Sequence, residues 1–236
     1  AGLHASVFAR YALRLLGSGG SGTHSAVVNN FSATMYAYGA KINAMDTYNL
    51  TNVDIGTFAL TLSPSVSTHS GPYGDDALID SLNAGSLIID RTAPIMSDID
   101  LGTGDLTISG TSPTSNQVAI SDLSAGGISV NGCGYNLDFT DVAISDTSAT
   151  GYLSGSCLSS SAPNTILVEG GTMASSQSSD NIIFARNSKI TLGKVNITGM
   201  TTFGNSVAKA STNGRIVMID VNFNTNSCES GALTSS

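Results

Sequence analysis

Fifteen Asp, three Cys, three His and three Asn-X-Ser/Thr triplets are the residues of this 236-residue chain whose types and spacing bear on chemistry. Asp98, Asp122 and Asp141 follow one another at similar intervals. If these positions stack in register, like charges repel unless a cation or a hydrogen-bond donor intervenes, so the column is a candidate calcium site. The same carboxylates could act as general acid and base on a polysaccharide. The alternative is structural: Asp chosen for the turn it permits, its carboxylate bonded to neighbouring amide N–H groups. Gly74-Asp75-Asp76 with Asp80, downstream of His69, offers donors for a metal or for hydrolysis. Residues 65–80 also read as a Ser/Gly/Pro-rich projecting loop. His4, His24 and His69 have neither zinc-site spacing nor a Ser-His-Asp arrangement, so no catalytic residue is assigned.

The interval from Cys133 to Cys157 equals one repeat as defined below, and the two are expected to meet on neighbouring repeats as a disulfide. Such a bond belongs to an oxidising compartment. The alternative is two small buried side chains. Cys228 is left over, available to a neighbouring subunit or unpaired. Asn30-Phe31-Ser32, Asn49-Leu50-Thr51 and Asn196-Ile197-Thr198 match the N-glycosylation pattern, although a chain rich in Asn, Ser and Thr produces such triplets by chance.

The elements that must position these residues are strands. An apolar residue, a spacer, an apolar residue, a short polar break and the same alternation again is a pattern that recurs. Clear copies are Leu137-Asp-Phe139-Thr-Asp141-Val142-Ala-Ile144 and Ile190-Thr-Leu192-Gly-Lys194-Val195-Asn-Ile197; Ile216 to Phe223 fits with one residue of slack. The first apolar residue after the break falls at 53, 99, 123, 142, about 171, 195 and 221, with a further copy expected near Ala77-Leu78-Ile79. A fixed period of about 24 residues marks a repeat architecture. Period-two alternation makes each arm a strand with one buried face, and the break a corner. The corner residues are Asn52, Asp98, Asp122, Asp141, Lys194 and Asp220; Asn and Asp tolerate the left-handed backbone that a sharp corner requires. Two short arms repeated at this period stack as coils of a solenoid, in turns of roughly 19–29 residues with the marker residues inward.

Residues 26–228 resemble the right-handed parallel β-helix proteins, the pectin-lyase-like superfamily of pectate lyases, polygalacturonases and surface adhesins, in coil length, strand-corner-strand pattern and Asn or Asp at the corner. The resemblance implies an all-β, right-handed parallel β-helix of about eight coils. For its enzymes it implies a groove with paired catalytic Asp or a Lys/Arg cluster, and no segment here matches a lyase or glycosidase signature. Ahead of the coils, Leu3, Val7, Tyr11 and Leu15 recur every four residues, so residues 1–22 are expected as an amphipathic helix plus a Gly/Ser linker, native or engineered, and residues 23–236 as the β-helix domain.

Composition narrows the function. Charged residues make up 11% of the chain, with 9 Lys+Arg against 17 Asp+Glu and a net charge of -8, which leaves no basic stripe for a nucleic-acid backbone. No apolar run reaches membrane-spanning length. With no initiator Met and no signal peptide, the chain reads as a mature product or an excised piece. The expectation is a non-catalytic extracellular structural protein, a subunit or segment of a cell-surface layer, fibre or adhesin. Its partners would be copies of itself, other surface subunits or glycans, and calcium its one candidate cofactor. The competing expectations are a polysaccharide lyase or glycoside hydrolase on the same scaffold, and a binding module presenting a Ser/Thr face to glycans or ice. With no Trp and 6% aromatic residues, a glycan binder would lack its usual stacking platforms.

Overall fold

The computed structural model describes residues 12–16, 25–33, 39–43, 47–63, 76–91, 94–112, 117–145, 153–158, 162–174, 182–198, 201–202, 207–224, 227–228 and 233–235. All strand pairing among them is parallel, in stacked sheets, and no helix occurs among these residues. The first sheet has ten strands: Leu13–Leu16, Ala40–Asn43, Ala59–Ser63, Ser86–Asp90, Leu106–Thr111, Ile128–Cys133, Leu153–Ser156, Ile183–Arg186, Ala208–Ser211 and Leu233–Ser235. The second runs through Ser25–Ser32, Thr47–Asp54, Asp76–Asn83, Pro94–Asp100, Val118–Ser121, Asn136–Ile144, Asn164–Ala174, Ser188–Gly193 and Arg215–Ile219. Its strands bend at one position and continue beyond the bend, as separate short strands at Leu123–Ala125, Asn196–Thr198 and Asn222–Asn224.

The bend is the corner read from the sequence. The strand registers align Asn30, Asn52, Ser81, Asp98, Asp122, Asp141, Gly170, Lys194 and Asp220 in one column. The eight non-glycine members have φ of 52–56°, and Gly170 has 79°. That conformation costs an ordinary L-residue roughly 1–2 kcal/mol, less for Asn and Asp, whose side chains bond locally. All six corner residues named from the sequence stand in the column. The expected eight coils become nine corners, because a level at Asn30 precedes those counted from the sequence. The shortest step, Ser81 to Asp98, falls below the expected range of coil lengths. Immediately after the corner, Val53, Ile99, Leu123, Val142 and Val195 are buried, as are Phe31 and Leu82, while Val221 on the last level is half-buried.

The inward columns form one continuous core. Ile42, Leu62, Ile89, Ile108 and Val130 of the first sheet and Leu50, Ile79, Ile120, Phe139, Val168 and Leu192 of the second are all at most 1% exposed. Each buried aliphatic or aromatic side chain of this size contributes about 1.5–3 kcal/mol. Outward positions alternate with them, Ser, Thr and Asn predominating on the first sheet.

The N-terminal expectation is corrected. Leu13–Leu16, expected as the end of an amphipathic helix, is a strand paired with Ala40–Asn43 in the first sheet, so the solenoid begins before the expected boundary at residue 22. Over four residues a helical and a strand alternation look alike: Leu13 and Leu15 pack toward the core while Arg14 and Leu16 face out. The unpaired N–H and C=O groups along Ala40–Asn43 decide between them. The rest of the expected helix, residues 1–11, and the Gly/Ser linker lie outside the described residues.

Candidate functional site

The corner column is where chemistry-bearing side chains gather. Asp98, Asp122 and Asp141 lie on three successive coils, exposed, with coil spacing of about 4.8 Å. Ser81 Oγ donates to Asp98 Oδ2 at 3.0 Å, and next to it Ser97 Oγ donates to Asp80 Oδ1 at 2.8 Å. Two residues past the corner, Asp54 Oδ1 accepts from the Gly56 N–H and from Asn83 Nδ2, both at 3.0 Å, and Asp100 Oδ1 accepts from the Gly102 N–H at 2.9 Å. These last two are local turns closed by an Asp side chain, with Gly56 and Gly102 at φ of 59° and 58°. A shallow open depression of about 340 Å³ runs between Asn52, Asp54, Ser81, Asn83, Asp98 and Asp100.

Stacked corner side chains project outward side by side instead of converging. Among the described residues no group of three or more His, Cys, Asp and Glu is gathered to hold a metal ion. The calcium expectation for Asp98, Asp122 and Asp141 rests on the column alone, and calcium takes six to eight oxygens. The structural alternative predicts that Asp122→Asn changes stability by less than about 0.5 kcal/mol, because Asn keeps the left-handed preference, whereas Asp122→Val costs about 1–2 kcal/mol. Thermal unfolding with and without added calcium checks both, and the ion is expected to leave the midpoint unmoved.

The other sequence-singled residues are dispersed. His4, His24, His69, Gly74 and Asp75 lie outside the described residues, as does the side chain of Asp76, whose backbone opens a strand of the second sheet. Arg91, the one Lys or Arg in residues 42–180, pairs with Asp90 at 3.0 Å, and Ser109 Oγ donates to the other oxygen of that carboxylate. A Lys/Arg cluster of the lyase kind therefore has no material on the acidic coils.

Cys133 and Cys157 are joined as a disulfide with Cα atoms 4.8 Å apart. The register differs slightly from the sequence reading: Val130 stands opposite Gly155, so the bond is made one position off strict register. By closing a loop of 24 residues it stabilises the fold by about 2–4 kcal/mol, mainly through the unfolded chain. Reduction is expected to lower the unfolding midpoint accordingly, with Cys133→Ser giving the same loss. Cys228 stands in the short strand Ser227–Cys228, paired with Thr201–Thr202. Asn30, Asn49 and Asn196 are exposed, Asn30 at a corner accepting from Asn52 Nδ2 at 3.1 Å, Asn49 on the outer wall with its Oδ1 3.4 Å from Thr51 Oγ1, and Asn196 just past a corner.

Sequence reasoning missed two features. Buried Asn164 joins three coils: its Oδ1 accepts from the Tyr135 N–H at 3.0 Å, and its Nδ2 donates to the Gly132 carbonyl at 2.7 Å and contacts Ser188 Oγ at 3.4 Å. Its one signal was an Asn at an inward position of an alternating strand. The second is charge order along the axis: residues 42–180 hold 15 Asp or Glu and one Arg, while residues 181–219 hold five Lys or Arg and no acid. That was countable but means little until the coils are stacked.

No family model, no curated protein and no solved structure matches the chain. Fold and site together define the class by geometry alone: an all-β chain of parallel strands in stacked sheets, the arrangement of a β-solenoid.

Proposed function

We propose that this is a non-catalytic extracellular structural protein, a right-handed β-helix of pectin-lyase-like architecture that serves as a subunit or segment of a cell-surface layer, fibre or adhesin. The right hand follows from the general preference of parallel crossover connections. The observation that carries the reading is the outer wall of the first sheet. At one register position it presents Thr61, Ile88, Thr107, Ser129 and Ser154 on five successive coils, between Arg14 and Lys41 at one end and Phe184 and Lys209 at the other, with Asp90, Ser109, Asn131, Ser156 and Arg186 in the next column. Over the five middle coils the charge in these two columns is Asp90, paired with Arg91, so that stretch of wall packs against neighbours while desolvating few ions. The disulfide favours an oxidising, extracellular location, and exposed Asn30, Asn49 and Asn196 are where glycans would attach.

The corner depression with Asp54, Asp98 and Asp100 is the place where a lyase or hydrolase would work, so it is the place to test. Incubation with neutral and uronate-containing polysaccharides is expected to yield no new reducing ends and no unsaturated products. Turnover that Asp98→Asn or Asp100→Asn abolishes would replace this reading with the enzyme.

A further inference from the structure

The outer wall of the second sheet carries apolar side chains and charge in an ordered array. Val27, Leu78 and Ile95 are 63%, 45% and 50% exposed and share one outward column, which continues through Ala119, Asp138, Leu167 and Thr191 to Val217. Leu78 and Ile95 on adjacent levels, with Val27 on the far side of exposed Asn49, make an apolar patch of the kind that marks an interface. Beside it the acids run from Asp80 to Glu169, and the cations Lys189, Lys194 and Arg215 occupy the last two levels, with Asp220 at the last corner and Lys194 Nζ 3.5 Å from Glu169 Oε1 of the preceding coil.

We propose that this wall is the contact between two copies of the chain, laid face to face with their solenoid axes antiparallel. The occupant follows from charge order. Copies with parallel axes would be related by a two-fold along the solenoid, which reverses the columns and sets Asp138 against itself, whereas a two-fold axis lying in the interface parallel to the strands keeps each column opposite itself and reverses the coil order. Offset by one coil, the reversal puts Leu167 over Ile95 and Gln117 over Asn136 and leaves Val27, on the first level, just beyond the overlap. It also puts Lys194 over Ser81, whose neighbours are Asp80 in sequence and Asp98 on the next coil. Like charges meet at the solvated rim, Asp122 against Asp141, where screening makes repulsion small, and in the central column the Asp138 carboxylates of the two copies lie one coil apart, each accepting from Gln117 Nε2 of its own chain at 2.9 Å. Eight overlapping levels of about 4.8 Å and a strand width of about 17 Å give a footprint of roughly 650 Å² per copy before side-chain relief, near the ~800 Å² per partner of stable complexes. Asn49 lies on this wall, so the paired form carries no glycan there.

This pairing deepens the building-block reading and rests on it. Sedimentation velocity on the full, oxidised chain across a concentration series should show a species of twice the 23.9 kDa monomer at low salt. Its population should fall as NaCl rises from about 50 to about 500 mM. Ile95→Asp and, separately, Lys194→Glu should each weaken association by about tenfold or more, with far-UV circular dichroism unchanged; combining Lys194→Glu with Asp98→Lys should restore it to within about threefold. Lysine already stands at this corner on the Lys194 level, so the swap keeps a tolerated residue. Monomer mass throughout the series overturns the pairing, and so does a dimer indifferent to both single variants or a swap that restores nothing. A monomer result would leave the building-block reading standing, because that reading fails on polysaccharide turnover and not on mass.

Discussion

Replacing Gly104 with valine is expected to lower the stability of the chain by about 4 kcal/mol or more, one of the two largest single-site losses the structure implies. Gly104 lies in the turn between the second sheet and the first, where turns of successive coils are stacked with no side chains between them. A Cβ on Gly104 would sit inside the carbonyl oxygen of Gly85, and one on Gly85 or Gly126 would strike the carbonyl of Thr57 or Thr103. The obstacle is backbone in each case, so no rotamer change relieves it. Moving the turn aside would also stretch the bonds that lock it, Gly104 N–H to the Leu101 carbonyl at 2.9 Å and Gly126 N–H to the Gly104 carbonyl at 2.7 Å. For a chain of this length, each kcal/mol corresponds to about 2–4 °C, so the expected fall in midpoint is about 8–16 °C. Gly102→Ala, two residues away at φ 58° but with open space around the missing Cβ, should lose only the roughly 1–2 kcal/mol of a left-handed alanine. Thermal unfolding of the two variants side by side separates crowding from backbone strain.

Asn164→Leu is expected to cost about 3–6 kcal/mol, although leucine is more apolar and nearly the same size, because each buried polar group stripped of its partner costs about 1–3 kcal/mol. The substitution removes the acceptor for the Tyr135 N–H and the donor to the Gly132 carbonyl, and takes away the contact with Ser188 Oγ, all inside the core. A second buried amide, Asn187, holds the Cys157 carbonyl at 2.9 Å, so the internal polar bonds and the disulfide tie the same coils together. Thr165→Ala, on the outward side of the same strand, should stay within about 0.5 kcal/mol, and urea unfolding of both variants with the disulfide intact is the check.

The corner was readable from the chain because a break in period-two alternation has few other causes, and Asn52, Asp98, Asp122, Asp141, Lys194 and Asp220 all adopt the left-handed backbone it demands. The coil at Asn30 escaped because Val27, an outward residue, is apolar and blurs the alternation of Ala26, Val28 and Phe31. The level at Ser81 was placed only roughly for the same reason, Leu78 being outward beside inward Ile79. Of those two exceptions to the polar-out rule, Leu78 falls within the pairing assigned above and Val27 on the level just beyond it, so what confused the pattern also borders the proposed interface. The first sheet was largely invisible, since its strands are short and the long coils between Asn52 and Ser81 and between Asp141 and Gly170 separate them by irregular lengths. Stacked turns such as Gly85, Gly104 and Gly126 could not be foreseen either, because an isolated Gly does not reveal which carbonyl passes over it. At the candidate site, spacing was enough to stack Asp98, Asp122 and Asp141. Whether their oxygens converge depends on side-chain direction, which a period does not specify.

That the solenoid is a building block of a surface assembly can be decided by immunoelectron microscopy of the native source, followed by imaging of the labelled material extracted without reductant. Label is expected on the outer surface, with the chain inside an ordered layer or fibre and Cys133 bonded to Cys157 in unreduced peptides. Label confined to the cytoplasm, or a dispersed monomer that degrades polysaccharide, would overturn the building-block reading.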